Sequence, residues 1–343
     1  MTRISKFVSL NSYVPNGPVE AEDFSVTVGE VPDLAAGQVL IRPIVFSVDP
    51  TLRGRLTGVD NYYAPQVRLG APIDGWAVGE VVESRLETVH PGDRVTGSME
   101  WAELTIWPPA DHWLHDTLQH VDPELEKPSY ALGVLGQTGG VTAYAGMVEA
   151  GQIQAGETVV VSAAAGNVGS LAGQIAKLRG ATVIGLAGTD TKRRVLTERL
   201  GFDAALDYHA PDLDDQIRAH APTGPDLYFD NVGGQVSQTV MWTMQQPARV
   251  VVCGQIATYD DAHTAWTINI KPIFANGLTL RGFTPLHYAE KVPTITRQLN
   301  TWLKASQLTP LETEHIGLVS LPAAFSGLLR GDNLGKTIVT LGT

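Results

Sequence analysis

A short apolar run, Val159–Val161, leads into "SAAAGNVGSLAGQIAKLRG", in which Gly166 and Gly169 stand at the spacing that a pyrophosphate asks of a backbone. Binding a phosphate takes exposed main-chain N–H groups and a close approach of the chain. A helix N-terminus supplies the donors together with a favourable dipole. Gly166 is the residue that lets the backbone reach the phosphates, and Gly169 permits close packing of helix on strand. Ala164 occupies the first glycine position of G-x-G-x-x-G, and alanine serves there provided that φ stays negative. Two glycines after a strand also make an ordinary turn, so the motif takes its meaning from the βαβ context around it.

The end of the following strand carries the choice of cofactor. An NAD site places a carboxylate there, about 20 residues beyond the glycines, to accept from the ribose 2′-OH. Here the strand ends "GLAGTDTKRR": Gly188 and Thr189, then Lys192, Arg193 and Arg194. A hydroxyl followed by cations suits a 2′-phosphate and favours NADPH over NADH. Two competing readings stand beside it. Asp190, shifted by one residue, is able to act as the NAD carboxylate, and a basic run also makes a solvated helix face.

Metal chemistry finds no ligand set. Zinc sites need thiolates and imidazoles in tetrahedral array, whereas this chain has 1 cysteine and 9 histidines without metal-ligand spacing. His112 and His115 read as isolated loop residues. Cys253 reads as a small buried residue, because no activating histidine accompanies it. Arg53 and Asp49 read as a structural pair with no chemical role.

These residues have to be held by two kinds of architecture. Up to about residue 120, short Val- and Ile-rich runs (Gln38–Val48, Gly75–Arg85, Asp93–Trp107) alternate with turn signals, among them "HPGD" with Pro91 and Gly92 at its centre. That pattern predicts a partly open β-barrel. From about residue 126, apolar strands alternate with helices: Glu157–Ala163, a helix bearing Leu171, Ile175 and Leu178, Ala181–Gly188, a helix closed by Gly201, then "LDDQIRAHA", "PDLYFDNVGG", "QVSQTVMWTM" and "ARVVVCGQI". Alternation of this kind predicts a doubly wound parallel sheet covered on both faces. A helix over about Tyr288–Ala305 follows, and "LGKTIVTLG" is a β-like run able to return to the first domain. The expected division is residues 1–125, completed by 310–343, and residues 126–309.

Length and charge bound the partners. A chain of 343 residues suits about two domains. A net charge of −12 argues against nucleic acid, whose binding relies on Lys and Arg neutralising phosphates. A single cysteine excludes a disulfide within the chain. No run reaches the ~20 apolar residues of a membrane span, and the N-terminus lacks the apolar core of a signal peptide. A cytoplasmic protein acting on a small molecule is the expectation.

The segments "SVDPTLRGRL", "LGAPIDGWAVGEVVES", "LGVLGQTGGVTAYAGM", "SAAAGNVGSLAGQIAKLRG", "DLYFDNVGG", "VVCGQIATYD" and "GDNLGKTIV" resemble, nearly end to end, the zinc-free medium-chain dehydrogenase/reductases. The group in question comprises the leukotriene B4 12-hydroxydehydrogenase/prostaglandin reductases, alkenal double-bond reductases and curcumin reductases. "YFDNVGG" after "AAAGNVGS" is the most discriminating combination. The resemblance implies a Rossmann domain with an N-terminal GroES-like barrel, often dimeric, that uses NADPH to reduce the C=C bond of α,β-unsaturated ketones and aldehydes without a metal. Quinone reduction with the same cofactor, or cofactor binding without turnover, are its rivals.

By the same resemblance, Gly166, Asn167, Val168 and Gly169 would cradle the pyrophosphate. Lys192, with Thr189 in place of a frequent serine, would meet the 2′-phosphate, and Tyr208 would sit on the phosphate or ribose. Asn231, Cys253 and Gly254 would lie along the nicotinamide, and Asn333 would close over the cofactor. Tyr259 resembles the tyrosine that orients the carbonyl or donates a proton, and Tyr63 one that lines the substrate pocket. The bland alternatives are a packing tyrosine at Tyr259, an aromatic loop anchor at Tyr63 and an Asx-type strand ending at Asn231. The chain departs from the group at Thr51 and Leu52, at "GQTGG" for the usual "GMPG", at Asn167 for alanine, and at Asp260 for asparagine.

Overall fold

The computed structural model describes all residues except 1–2, 60–63, 110–112, 114–115, 262–266 and 343. The chain divides into two units: Met1–Leu132 with Tyr259–His263 and Glu312–Thr343, and Gly133–Thr258 with Thr264–Leu311.

The first unit opens with an antiparallel pair absent from the sequence expectation, β1 (Arg3–Leu10) and β2 (Phe24–Val31), in continuous register from Arg3↔Val31 to Leu10↔Phe24. Then come β3 (Val39–Val48), β4 (Asp74–Ser84), β5 (Arg94–Glu100), β6 (Thr105–Trp107) and β7 (Gln119–His120). β3 and β4 pair antiparallel with irregularities at Leu40/Ile41 and Pro43/Val45. Pro43 lacks the N–H that a regular ladder needs, and such bulges bend a sheet towards closure. The run Asp93–Trp107, expected as one strand, is two, because buried Trp101 donates its N–H to the Ile73 carbonyl (2.6 Å) and turns the chain so that β6 pairs with β3. The "HPGD" turn is closed by the Asp93 N–H on the His90 carbonyl, 3.0 Å, with Gly92 at φ 92°. A core of Val8, Ile41, Phe46, Val95, Met99, Trp101 and Phe325 fills this unit.

In the second unit a helical segment, residues 137–150, has α1 (Thr142–Tyr144) between Gln137–Val141, which is kinked at non-helical Gly139, and a π-helical turn, Ala145–Ala150. The βα alternation follows: β8 (Thr158–Val161), α2 (Asn167–Leu178), β9 (Thr182–Leu186), α3 (Asp190–Glu198), β10 (Ala204–Leu206), α4 (Leu213–His220), β11 (Leu227–Asp230), α5 (Gly234–Thr243), β12 (Arg249–Val252), α6 (Ile270–Asn276) and β13 (Thr279–Gly282). These strands form one parallel sheet in the order β10-β9-β8-β11-β12-β13. This is the Rossmann order, with its switch point between β8 and β11. Val159, Val160 and Val161 are wholly buried, as a strand covered on both faces requires. α7 (Val292–Lys304) starts later than the pattern predicts, because Pro293 suits the first turn of a helix and Tyr288, at φ −123°, is not helical.

Back in the first unit are β14 (Glu312–Ile316), α8 (Leu321–Arg330) and β15 (Lys336–Thr340). β15 pairs antiparallel with β3 and parallel with β14, which completes the sheet β14-β15-β3-β4-β5-β7. The molecule is thus a Rossmann domain joined to an N-terminal barrel-like domain. Among the described residues no helix is long and apolar enough to cross a membrane.

Candidate active site

Strand direction gathers most of the sequence-predicted residues at one edge of the Rossmann sheet. β8 ends before Gly166–Gly169, β9 before Thr189, β10 before Tyr208, β11 before Asn231, and β12 before Cys253 and Gly254. Open parallel sheets bind ligands beyond the carboxyl ends of their strands, at the switch point.

After β8 the chain reverses through Ala163, which takes a left-handed φ of 46°, so the backbone strain sits one residue upstream of Ala164. Gly166 caps α2 with no side chain over it. A Cβ on Gly169 would collide with the Ala163 carbonyl and stand 2.9 Å from the Ala164 Cα, so only glycine lets α2 pack this close to β8. The Ser170 N–H bonds the Gly166 carbonyl at 3.0 Å, whereas no acceptor among the described residues faces the N–H groups of Asn167, Val168 and Gly169. Three aligned donors at the start of a 12-residue helix, with no side chain at Gly166 to cover them, fit a pyrophosphate.

The side chain of Asn167 turns away from that opening. Its Nδ2 donates to the Thr138 carbonyl, 3.1 Å, and lies 2.9 Å from where a Cβ on Gly139 would stand. Two departures from the family pattern, "GQTGG" and Asn167, therefore meet. The amide ties the first turn of α2 to the segment Gln137–Val141, where Gly139 (φ −134°, ψ −106°) breaks the helix.

At the end of β9, Thr189 is the N-cap of α3, its hydroxyl accepting from the Lys192 N–H at 3.3 Å. Arg193 is consumed by structure: it pairs with Asp190, reaches Asp207 at 3.1 Å and donates to the Ala187 carbonyl at 3.1 Å. The carboxylate that competes for the NAD reading is thus drawn to its own helix. Half-buried Lys192 and exposed Arg194 are the other cations of the run. The Tyr208 hydroxyl lies 2.9 Å from where a Cβ on Gly188 would stand, so β10 delivers Tyr208 next to Thr189.

The β11 end is organised by a residue that sequence reasoning passed over. Asp230, buried, accepts on Oδ1 from the Tyr228 hydroxyl (2.9 Å), the Val232 and Gly233 N–H groups (3.0 and 2.9 Å) and the Ser162 hydroxyl (3.3 Å). Its Oδ2 accepts from the Ser237 hydroxyl at 2.5 Å. The Asx-type turn anticipated at Asn231 belongs to Asp230. Asn231 instead donates its N–H to Ser162 Oγ (2.9 Å) and its Nδ2 to the Ser162 carbonyl (2.7 Å), which pins it to the end of β8. Burial pushes the Tyr228 phenol well above its usual pKa, and the Asp230 charge adds to the effect. Cys253 is half-buried rather than buried, and desolvation, with the same Asp230 charge, pushes its thiol up to about 12. That agrees with a protonated, inert thiol.

The remaining candidates belong to the first unit. Asn333 is buried in the turn before β15, with its Nδ2 on the Gly335 carbonyl at 2.8 Å. Tyr259 follows the short 3₁₀ turn Ile256–Thr258. Tyr63, His112 and His115 lie outside the described residues. The expected Arg53–Asp49 pair is not formed. Asp49 pairs with buried Lys336 (2.5 Å) and accepts from Ser47, while Arg53 pairs with Asp260 at 3.1 Å. Sequence distance hides both pairs, and Lys336 reaches Asp49 only when β15 docks on β3. Among the described residues no three His, Cys, Asp or Glu side chains gather as metal ligands.

Comparison with known proteins gives two family models, one described as the N-terminal domain of oxidoreductase over residues 6–114, the other as zinc-binding dehydrogenase over residues 167–300. The NADPH-dependent curcumin reductase of Escherichia coli (strain K12) is 35% identical over 331 residues, 95% of this chain and 94% of that protein. The NADP(+)-dependent 2-alkenal reductase of Nicotiana tabacum is 34% identical, covering 98% of this chain and 97% of that protein. The crystal structure of CurA from Vibrio vulnificus in complex with NADPH superposes with a TM-score of 0.90 at 32% identity, covering 98% of this chain and 99% of that one.

Proposed function

The chain belongs to the zinc-independent medium-chain dehydrogenase/reductase family of alkenal and curcumin reductases, and from that premise we propose that it reduces the C=C bond of α,β-unsaturated aldehydes and ketones with NADPH. It is an NADPH-dependent oxidoreductase. The observation that carries the reading is the grouping at one sheet edge of the bare helix N-terminus, Thr189 with Lys192, Tyr208 and the pinned Asn231.

NADPH, when bound, supplies a hydride for the β-carbon of the substrate. The chain's own residues do the rest. The N–H groups of Asn167, Val168 and Gly169 hold the pyrophosphate with the help of the helix dipole. Lys192 and the Thr189 hydroxyl hold the 2′-phosphate through charge-assisted bonds, and Tyr208 lies against the ribose. Asn231, with Cys253 and Gly254, frames the nicotinamide side, and Asn333 covers the cofactor. As hydride arrives, charge develops on the substrate carbonyl oxygen, where a donor is most effective. The Tyr259 hydroxyl is that donor, since a phenol of ordinary pKa ~10 is protonated at neutral pH. Tyr63 lines the pocket. The enzyme works in the cytoplasm as a homodimer, which sedimentation of the purified protein tests.

Anaerobic stopped-flow oxidation of bound NADPH by crotonaldehyde, set against a benzoquinone, tests the reaction. Faster oxidation by the enal supports it. Oxidation by the quinone alone replaces it with quinone reduction, and tight NADPH binding with no oxidation by either makes the protein a binder without turnover.

A further inference from the structure

The guanidinium of Arg53 is wholly buried in the first unit, yet nothing in the proposed chemistry uses it. It stands on the 3₁₀ turn Pro50–Arg55 that follows β3. Its three nitrogens are all engaged: Nη1 donates to the Val14 carbonyl and Nη2 to the Gly17 carbonyl, both at 2.9 Å, and Nε donates to Asp260 Oδ1 at 3.1 Å. Two ends of the fork are thus fixed on the loop over residues 14–17, and the third holds a carboxylate far away in sequence. Main-chain ties run beside it. The Gly17 N–H donates to the Asp260 carbonyl at 2.7 Å, and Asn16 and Asp261 form an isolated antiparallel bridge.

Asp260 is the neighbour of Tyr259. Tyr259 and Asp260 form the turn between the 3₁₀ turn Ile256–Thr258 and the bridge at Asp261. The Asp260 side chain is 56% exposed, whereas that of Arg53 is wholly buried. What the pair does supply is direction. Arg is planar and pre-organised, so a guanidinium held at two corners presents its third donor at one place only.

We propose that Arg53 is a positioning residue, which acts through Asp260 to hold Tyr259 where its hydroxyl meets the substrate carbonyl. This rests on the role proposed for Tyr259. The "DPTLRGR" motif then serves the reaction through a segment more than half the chain away, and Asp260 is the receiving end of that contact. A misplacement of about 1 Å in a reacting group is enough to lower a rate by one to two orders of magnitude.

The test uses the full chain, NADPH and crotonaldehyde, with Asp260→Ala, Asp260→Asn, Tyr259→Phe and the double variant Tyr259→Phe/Asp260→Ala. Asp260, being half exposed, is changed in preference to Arg53, whose removal endangers folding. The expected result is a fall in kcat of about tenfold in Asp260→Ala, with the Kd of NADPH within about twofold, and recovery of most of the rate in Asp260→Asn, whose Oδ1 still accepts from Arg53 Nε. In the Tyr259→Phe background, Asp260→Ala produces no further loss. A full additional loss in the double variant, or an unchanged kcat in Asp260→Ala, overturns the positioning role and leaves that of Tyr259 standing. An unchanged kcat in Tyr259→Phe overturns both.

Discussion

Asp230→Ala removes a buried acceptor that five donors share. Two are main-chain N–H groups, those of Val232 and Gly233, and three are the hydroxyls of Tyr228, Ser162 and Ser237. Each stranded N–H costs about 1–3 kcal/mol, and the hydroxyls lose a charged acceptor for whatever weaker partner they can reach. Against this, a buried carboxylate no longer has to be desolvated, which returns several kcal/mol. The balance for Asp230→Ala is a loss of about 2–4 kcal/mol, set by the stranded N–H groups.

Asp230→Asn is the informative control. Its carbonyl oxygen takes the place of Oδ1 and keeps four donors, while its NH₂ faces Ser237, whose hydroxyl can rotate to accept. Charge-assisted bonds become neutral ones of roughly half the strength, partly offset by the absence of a buried charge, and the loss is about 1–2 kcal/mol. Urea unfolding followed by tryptophan fluorescence measures the order, and amide exchange at Val232 and Gly233 reports the turn itself. An Asp230→Ala protein within about 1 kcal/mol of the parent, or an Asp230→Asn protein as damaged as Asp230→Ala, refutes the reasoning.

Other perturbations read separate parts of the site. Lys192→Ala weakens NADPH by about tenfold or more and NADH within about twofold, measured by quenching of cofactor fluorescence; equal effects sink the 2′-phosphate assignment. Asn167→Ala removes the tie to Thr138 and lowers stability by about 1 kcal/mol with a severalfold loss of NADPH affinity, whereas Asn167→Asp sets a negative charge before the phosphates and loses considerably more. Isothermal titration of both variants decides between tie and bystander. Cys253, pushed up to about 12, resists iodoacetamide at pH 8 in the folded protein and reacts once urea exposes it. Because the folded pKa is raised, the contribution of this thiol to stability is fully present below about pH 9 and is lost as pH rises towards 12. Labelling at pH 8 as fast in the folded chain as in the unfolded one contradicts the raised thiol pKa.

Much of this molecule is local in origin, and local features are readable. Apolar runs that recur every few residues between helical stretches dictate a parallel sheet, because both faces of each strand must be covered. The glycine turn after β8 is equally local, since Gly166 caps α2 and Gly169 lets α2 pack on the preceding turn within one strand-to-helix connection. The helix that carries the cations after β9 starts at a single N-cap, Thr189.

What composition and spacing could not reach depends on contacts across the sheet order or between distant loops. Ser162 and Asp230 lie on adjacent strands only because β8 and β11 pair at the switch point, so the Asp230 network and its effect on Cys253 have no signature in either segment alone. The meaning of Asn167 lay in Thr138, a residue of a different turn. Arg53 found Asp260 rather than Asp49, because Lys336 on β15 claims Asp49 once that strand docks on β3. Sequence periodicity carries information about which face a residue occupies, since that is set by neighbours three or four positions away. The partner of a buried polar group is decided by the packing of whole elements, whose desolvation requires that every such group be met by whatever the fold has placed beside it.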